Sequence, residues 1–272
     1  MIRRFAALCI FVSALAWGSA SPTSAQDVPV PPTSMASVGD SITRAADVCC
    51  WYGDHPSNSW STGGASWDGV TSLYERIRAL NPAIAGRNYN DAVSGAKMAN
   101  GPAQAQRAVT QQAQFVTVLL GANDLCTSSP GTMTTVDTFR AQLRQTLHIL
   151  FSGLPEDAVV FVASIPDVYR LWAIYRTDWT ARLVWDAADI CQSLLASART
   201  EEQRQLVRTR NIAFNAVLAK ECAEYPRCRF DGNAVFNVQF SRSHVSKLDY
   251  FHPNLAGQAE LARVTWAHTG WN

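Results

Sequence analysis

The chain has 272 residues, of which 47% are hydrophobic and 17% charged, and its formal net charge is +1 at pH 7. A chain of this length and composition suits one α/β domain with a large core. Because opposite charges nearly balance and no dense run of Lys and Arg occurs, we expect no binding of nucleic acid or of anionic membranes by bulk electrostatics.

The first 25 residues predict a secretory signal peptide. Arg3-Arg4 gives a positive start, and the apolar residues 5–17 form a stretch too short for a comfortable transmembrane helix. Small residues then place candidate cleavage sites after Ala20 and after Ala25. An uncleaved membrane anchor fits less well because Ser, Gly and Pro follow the apolar run directly. We therefore expect a secreted protein whose mature chain has no transmembrane segment.

Beyond this segment the sequence divides into a short leader and one domain. Residues 26–34 contain three prolines and predict an extended leader. Residues 35–272 contain no internal repeat and no low-complexity block, so we expect them to form a single domain that acts as a monomer.

In chain order, apolar runs typical of buried strands alternate with segments of helical periodicity. The predicted strands cover residues 35–38, 88–93, 115–120, 158–163 and 229–236. The predicted helices cover residues 68–80, 102–114, 135–151, 200–224 and 254–267. This alternation predicts a parallel sheet with helices on both of its faces.

Two aromatic segments interrupt the alternation. Residues 47–67 are rich in Trp, Gly and Ser and form either a surface loop pinned by cysteine or an aromatic wall beside a ligand. Residues 167–199 form an insertion that either packs short helices into the core or covers a substrate. If these segments contact substrate, we expect the contacts to come from Trp60 and Trp67 in the loop and from Tyr169 and Trp172 in the insertion.

Cysteine usage agrees with export. Cys9 lies in the predicted signal peptide and would be lost with it. The other cysteines are Cys49, Cys50, Cys126, Cys191, Cys222 and Cys228. An even number in an exported chain predicts three disulfides, and the absence of a Cys-x-x-Cys pair or a histidine cluster makes a metal site a poor alternative.

The pairing of these cysteines is not fixed by the sequence. Cys222 and Cys228 flank a short turn that contains proline, and Cys126 with Cys191 would then tie a loop to a later segment. This choice leaves two adjacent cysteines, whose Cα atoms lie ~3.8 Å apart, below the usual disulfide range of about 4.4–6.8 Å. Either that bridge is strained or the other pairings are wrong.

A candidate nucleophile stands where the first strand ends. Ser41 follows the turn residues Gly39-Asp40, and α/β folds bind their ligands at the carboxyl ends of strands. Far downstream, Asp249 precedes His252 by three residues, so its carboxylate can bind Nδ1 and leave Nε2 free to take a proton. Separately, the serine could cap a helix and the Asp-His pair could be structural. Together, Ser41, His252 and Asp249 predict an acyl-transfer triad.

Acyl transfer also needs hydrogen-bond donors for the negative charge that develops on the carbonyl oxygen. The candidates are the backbone N–H groups of Ser41 and Gly95 and the side-chain amide of Asn123. Each of these residues follows a predicted strand, and a parallel sheet would bring the three strand ends to one edge. We therefore expect them to form an oxyanion hole.

At these positions the chain resembles the SGNH hydrolases, also called GDSL lipases or esterases. Gly39-Asp40-Ser41 matches the first sequence block of that family, and Gly95 matches the glycine of the second block. Gly121-Ala122-Asn123-Asp124 matches the third block, and Asp249-Tyr250-Phe251-His252 matches the fifth. The residues that follow Asn123 and His252 are similar to the phospholipase B-like branch and to secreted bacterial relatives.

This resemblance implies a three-layer α/β/α sandwich with a mostly parallel, flavodoxin-like central sheet. It also implies ester hydrolysis without a metal or an organic cofactor. We therefore expect a secreted serine esterase or lipase that acts on a small-molecule or lipid ester. One alternative is a carbohydrate esterase of the same superfamily that removes acetyl groups, since the aromatic segments could stack sugars. An alternative of another class is an exported binding module with an inert triad.

Overall fold

The computed structural model describes residues 1–2, 30–65 and 67–271. Almost all of the predicted signal peptide and part of the predicted leader lie outside these residues. The strands are β1 (Met35–Gly39), β2 (Asn88–Asn90), β3 (Phe115–Leu119), β4 (Val159–Val162) and β5 (Cys228–Phe230). The α-helices are α1 (Leu73–Leu80), α2 (Gly101–Thr110), α3 (Ala122–Leu125), α4 (Val136–Gly153), α5 (Tyr169–Tyr175), α6 (Trp179–Ala187), α7 (Glu201–Cys222) and α8 (Leu255–Trp266).

The five strands form one parallel sheet in the order β2-β1-β3-β4-β5. Strand β1 lies between two neighbours, with Ser37 in register with Asn90 on one side and with Thr117 on the other. Strands β1 and β3 have no exposed residue, as expected of a sheet covered on both faces. The predicted α/β fold with a mostly parallel sheet is therefore confirmed, and every observed pairing is parallel.

Helices cover both faces of this sheet. Helix α2 packs against α4, and α4 packs against α7, so these three helices form one layer. Helix α8 packs against α1 in the other layer. Right-handed crossovers account for this division, because the chain moves outward from β1 to β2 over one face and returns to β3 over the other. None of the helices in the described part of the chain is long and apolar enough to cross a membrane.

Several elements are shorter than predicted. Helix α1 begins at Leu73 rather than at residue 68, because the Ser72 side chain accepts the N–H of Glu75 and closes a capping box. Strand β5 ends at Phe230 because Asp231 accepts backbone N–H groups of the following turn, one of them from Asn233. Local side-chain hydrogen bonds thus end regular structure where apolar periodicity alone would extend it.

Two disulfides form instead of the three that the cysteine count predicts. Cys126 pairs with Cys191 and fastens the end of α3 to the aromatic insertion, and Cys222 pairs with Cys228 between α7 and β5. The adjacent Cys49 and Cys50 are free thiols. Their adjacency in the sequence explains this difference, because the Cα atoms of neighbouring residues are closer together than the distances that a disulfide spans without distortion.

Candidate active site

The turn after β1, residues 39–43, is fixed by its neighbours. A Cβ on Gly39 would collide with the Thr43 side chain and lie 3.0 Å from the carbonyl oxygen of Leu119, so only glycine fits there. The side chain of Gln104, in α2, accepts the Gly39 N–H at 2.7 Å and donates to the Gly39 carbonyl at 3.0 Å. This clamp holds Ser41 at the carboxyl end of β1, beside β3. The strand order reverses between these two strands, and doubly wound folds bind ligands at such a point.

Two further contacts fix the residues on either side of Ser41. The Asp40 carboxylate accepts the Ile42 N–H at 2.9 Å, which closes an Asx turn around the serine. Burial raises the pKa of Asp40 to about 7. On the other side, the Gln258 side chain in α8 donates to the Ile42 carbonyl at 2.8 Å. Helices from both layers therefore hold one short turn.

The loop before α8, residues 245–253, is also held by its own hydrogen bonds. It closes with a bridge between Val245 and Pro253 and with a bond from the Ser246 N–H to the His252 carbonyl at 2.8 Å. Inside it, Oδ1 of Asp249 accepts the backbone N–H of His252 at 3.1 Å and one further N–H. The Asp249 carboxylate is thus oriented by the backbone, with Oδ2 turned towards the imidazole.

These two segments bring together side chains that are 211 residues apart in the sequence. Nε2 of His252 lies 2.7 Å from Oγ of Ser41, and Nδ1 lies 2.5 Å from Oδ2 of Asp249. The imidazole is 14% exposed and the Asp249 side chain 7% exposed, so water has little access to either contact. Such an arrangement can remove the serine proton during attack on a carbonyl carbon.

The pKa of His252 reflects the balance between burial and its acidic neighbours. Burial disfavours the charged imidazolium, but hydrogen bonds and charges from Asp249 and Asp47 outweigh it and raise the pKa to about 9. Asp47 is an unexpected neighbour, with its Oδ2 atom 3.7 Å from Nδ1. No sequence motif links Asp47 to the histidine, so the sequence alone does not predict this contact.

Asp47, Asp249 and His252 are also a group of potential metal ligands, with donor atoms within 4.8 Å of one another. The nitrogen that would bind an ion already contacts Asp249 at 2.5 Å. The chemistry of this donor set therefore fits a hydrogen bond from Nδ1–H of His252 to the Asp249 carboxylate, and we assign it no metal.

Gly95 and Asn123 lie beside Ser41 and line the same open cleft. Gly95 has a φ of +80°, which favours glycine, and a Cβ there would meet no atom within 4 Å. Asn123 is the second residue of α3, the short helix after β3, and its Nδ2 atom donates to the Ala96 carbonyl at 3.0 Å. One amide hydrogen is thereby held, while the other remains for a ligand. The sheet thus brings all three predicted oxyanion donors to one edge.

A narrow apolar cavity also opens at Ser41, with about 650 Å³ of empty space when the open solvent at its mouth is included. Its apolar lining includes Ile42, Val168, Leu171, Phe240, Val245 and Phe251. The insertion contributes Val168 and Leu171, and the loop that carries His252 contributes two more of these side chains. The cavity therefore joins the serine to an apolar surface built from several segments.

The four aromatic residues expected to contact substrate lie elsewhere. Trp60 has no exposed surface and donates its indole N–H to Thr43 at 3.3 Å, so it is a core residue. Trp67 is 84% exposed and lines neither the cavity nor the cleft at Ser41. For these two residues the expected aromatic wall is corrected.

In the insertion, Val168 and Leu171 line the cavity, each one residue before an aromatic residue that was expected to do so. The Tyr169 hydroxyl donates to Glu201 at 2.6 Å, and the Arg204 guanidinium carbon lies 3.6 Å from the ring centre of Trp172. Both aromatic side chains therefore face α7, while positions 168 and 171 face the cavity. Val168 and Leu171 are three residues apart and share one face of this segment, and Asp167 and Arg170 line the cavity beside them.

Comparisons with known proteins agree with this fold. A family model described as GDSL-like Lipase/Acylhydrolase matches residues 35–264. The membrane-associated phospholipase B1 of Rattus norvegicus is 28% identical over 178 residues, and that of Mus musculus is 26% identical over 174 residues. Each match covers 52% of this chain but only 12% of the relative, so the chain matches a small part of those proteins.

Two solved structures show the same fold at low sequence identity. A structure described as that of a GDSL-like lipase from Parabacteroides merdae has a TM-score of 0.54 at 18% identity, covering 90% of this chain and 99% of its own. The acetyl xylan esterase AlAXEase has a TM-score of 0.52 at 14% identity, covering 86% of this chain and 99% of its own.

Proposed function

The chain belongs to the GDSL-like lipase and acylhydrolase family, and on that premise we propose that it is a serine hydrolase that cleaves carboxylic esters of acyl chains. Ser41 is the nucleophile, His252 the general base and acid, and Asp249 orients the imidazole. The observation that carries the proposal is the continuous contact from Ser41 Oγ through both ring nitrogens of His252 to Asp249.

The first half of the reaction forms an acyl-enzyme. Oγ of Ser41 attacks the ester carbonyl carbon while its proton passes to Nε2 of His252, and the carbonyl oxygen becomes an oxyanion. The N–H groups of Ser41 and Gly95 and the amide of Asn123 donate to that oxygen. The ester C–O bond then breaks, and the Nε2 proton passes to the departing alcohol.

The second half repeats these steps with water. His252 removes a proton from the water, whose oxygen attacks the acyl carbon, and the same donors stabilise the second oxyanion. The bond to Ser41 then breaks and Oγ regains a proton from His252, which releases the carboxylic acid. Asp249 stays ionised throughout and stabilises the imidazolium that forms twice in each cycle.

The apolar cavity supports an acyl chain as the part of the substrate that enters beside Ser41. Burial of a chain is favourable by about 0.8 kcal/mol for each CH₂ group removed from water, so the cavity favours longer acyl groups. An acetyl group would leave most of its lining uncovered. We therefore favour an esterase or lipase over the carbohydrate acetyl esterase, and a reactive serine over an inert binding module.

Export of the protein belongs to the same proposal. Two disulfides suit an oxidising compartment, and the amino-terminal sequence has the pattern of a signal peptide. We propose that the secreted chain begins near residue 26 and acts as a monomeric domain on small-molecule or lipid esters. Amino-terminal sequencing and the solution mass of the secreted protein test these points.

Covalent labelling tests the proposed function directly. A fluorophosphonate should label one site per chain, and peptide mapping should place the label on Ser41, since an organophosphate reacts with an activated serine. Absence of labelling in folded protein would favour the inert binding module.

A further inference from the structure

We propose that Asp47 is a second positioning carboxylate for His252, which shares with Asp249 the stabilisation of the imidazolium formed during ester cleavage. This inference rests on the proposed function, because it assigns a role to Asp47 within that same reaction. Asp47 lies in the loop that follows Ser41 and has no place in the four sequence blocks that mark the family resemblance.

The geometry places Asp47 on the side of the imidazole that carries Nδ1. Its Oδ2 atom lies 3.7 Å from Nδ1, and the Asp249 Oδ2 atom lies 2.5 Å from the same nitrogen. One Nδ1–H cannot donate fully to both, so Asp249 accepts the hydrogen bond and Asp47 acts through its charge.

Asp47 is held in this position by its own loop. It has a φ of +52°, and its Oδ1 atom accepts the Gly53 N–H at 2.6 Å. The Asp47 N–H donates in turn to the Gly53 carbonyl at 2.8 Å. These paired bonds close residues 47–53 into a compact loop and leave Oδ2 directed at the histidine.

The loop is also fastened to the segment that carries His252. The Ser246 hydroxyl donates to the Asp47 carbonyl at 2.5 Å, and the Tyr52 hydroxyl donates to the Leu248 carbonyl at 2.9 Å. Two contacts at separate points make the loops one unit. Asp47 therefore keeps its distance from the imidazole without relying on a salt bridge alone.

Three carboxyl groups of the described residues act on the charge of His252. Asp249 belongs to its own loop, Asp47 to the loop after Ser41, and Asp40 to the turn beneath. Burial raises the pKa of Asp40, which weakens its contribution as an anion. The pKa of Asp47 is lowered, chiefly by its interaction with His252, so Asp47 stays ionised.

A double-mutant cycle separates this role from a structural one. We expect Asp47→Asn to lower kcat/KM on a p-nitrophenyl ester about 3-fold at its alkaline plateau, and Asp249→Ala to lower it about 10²-fold. In the Asp249→Ala background, Asp47→Asn should cost a further 10-fold or more, because the last carboxylate at Nδ1 is then gone.

The pH profile is the second readout. Asp47→Asn removes an anion that favours imidazolium, so the midpoint of the rise in kcat/KM should move down by about one pH unit. Asp157→Asn is the matched control, since it removes the same charge from the loop before β4, at the amino ends of the strands and away from His252. Its midpoint and plateau should equal those of the unmodified protein.

Two outcomes would overturn the inference. An equal cost of Asp47→Asn in both backgrounds, or an unmoved midpoint in folded protein, would reduce Asp47 to a loop-closing residue. Thermal unfolding of each variant shows whether the fold is intact, and Asn retains an oxygen that can accept from Gly53. Failure of the proposed function itself would instead appear as full activity in Ser41→Ala.

Discussion

The turn that carries Ser41 and the insertion that lines the apolar cavity meet at one site but are built differently. The turn is buried and clamped by Gln104 from one helix layer and by Gln258 from the other. The insertion places two short helices over the sheet edge and exposes Trp179 and Leu183 to 75% and 58%. Under the proposed function, the sheet would thus fix the reacting atoms, whereas the packing of the insertion would decide which acyl chain reaches them.

If the turn of Ser41 and the neighbouring strand ends determine the chemistry, loss of an oxyanion donor should lower kcat and leave the preference for acyl chain length unchanged. We expect Asn123→Ala to lower kcat by about 10²–10³, because the amide contacts the oxygen most strongly when it carries charge. The ratio of kcat/KM between long and short acyl esters should stay constant. A change in that ratio, with kcat preserved, would mean that Asn123 contacts the acyl chain and does not stabilise the oxyanion.

The pH dependence of activity tests the electrostatics of the rigid side without any mutation. The base must be neutral to accept the serine proton, and the pKa of His252 is raised to about 9. Below that pH most of the imidazole is charged and inactive, so kcat/KM should rise about 50-fold between pH 7 and pH 9. A midpoint near 6.5 would mean that the carboxylate contacts do not act on the imidazole in solution.

Filling the part of the cavity that the insertion lines should change the preference for acyl chain length and leave the catalytic steps unchanged. We expect Leu171→Trp to lower kcat/KM about 10-fold on p-nitrophenyl octanoate and to leave the acetate ester nearly unchanged, because the indole occupies the space of the chain. Leu206→Trp, on the exposed side of α7, is the matched control and should alter neither ester. Equal losses on both esters would contradict an acyl cavity here.

Loss of the hydrogen bonds between Gln104 and Gly39 should have the smallest effect on substrate specificity. Its effect on the stability of the fold should be large. Gln104→Ala leaves the buried N–H of Gly39 without its acceptor, while the Gly39 carbonyl keeps only the Val93 N–H, so the free energy of unfolding should fall by about 1–3 kcal/mol. Gln106→Ala, an exposed position of the same helix, should cost less than about 0.5 kcal/mol. Chemical denaturation measures both. Equal values would mean that the turn does not depend on the clamp.

The turn of Ser41 and the neighbouring strand ends can be predicted from the sequence because the patterns that mark them are local. The apolar run of β3 and the turn residues after it mark the strand end that carries Asn123, and the alternation of elements makes the sheet parallel. Ser41, Gly95 and Asn123 then meet because parallel strands end at one edge. The three-residue spacing of Asp249 and His252 is equally local, and the structure places them in hydrogen-bond contact.

The substrate side was harder to predict because it depends on packing between distant segments. Trp60 is as aromatic as any residue of a binding wall, yet it fills the core. At the start of α5, the choice between positions 168 and 169 depends on how the helix is rotated against α7, which periodicity in a short segment does not fix. Asp47 is invisible for a similar reason, since its approach to His252 depends on a left-handed φ and on closure by Gly53.

The most direct measurement is ester hydrolysis by Ser41→Ala beside Ser37→Ala. Both serines are buried in or just after β1, and Oγ of Ser37 has no hydrogen-bond partner among the described residues. Hydrolysis of a short p-nitrophenyl ester should fall at least about 10⁴-fold in Ser41→Ala and stay within 2-fold in Ser37→Ala, with both proteins folded. Full activity in Ser41→Ala would contradict the assignment of Ser41 as the nucleophile.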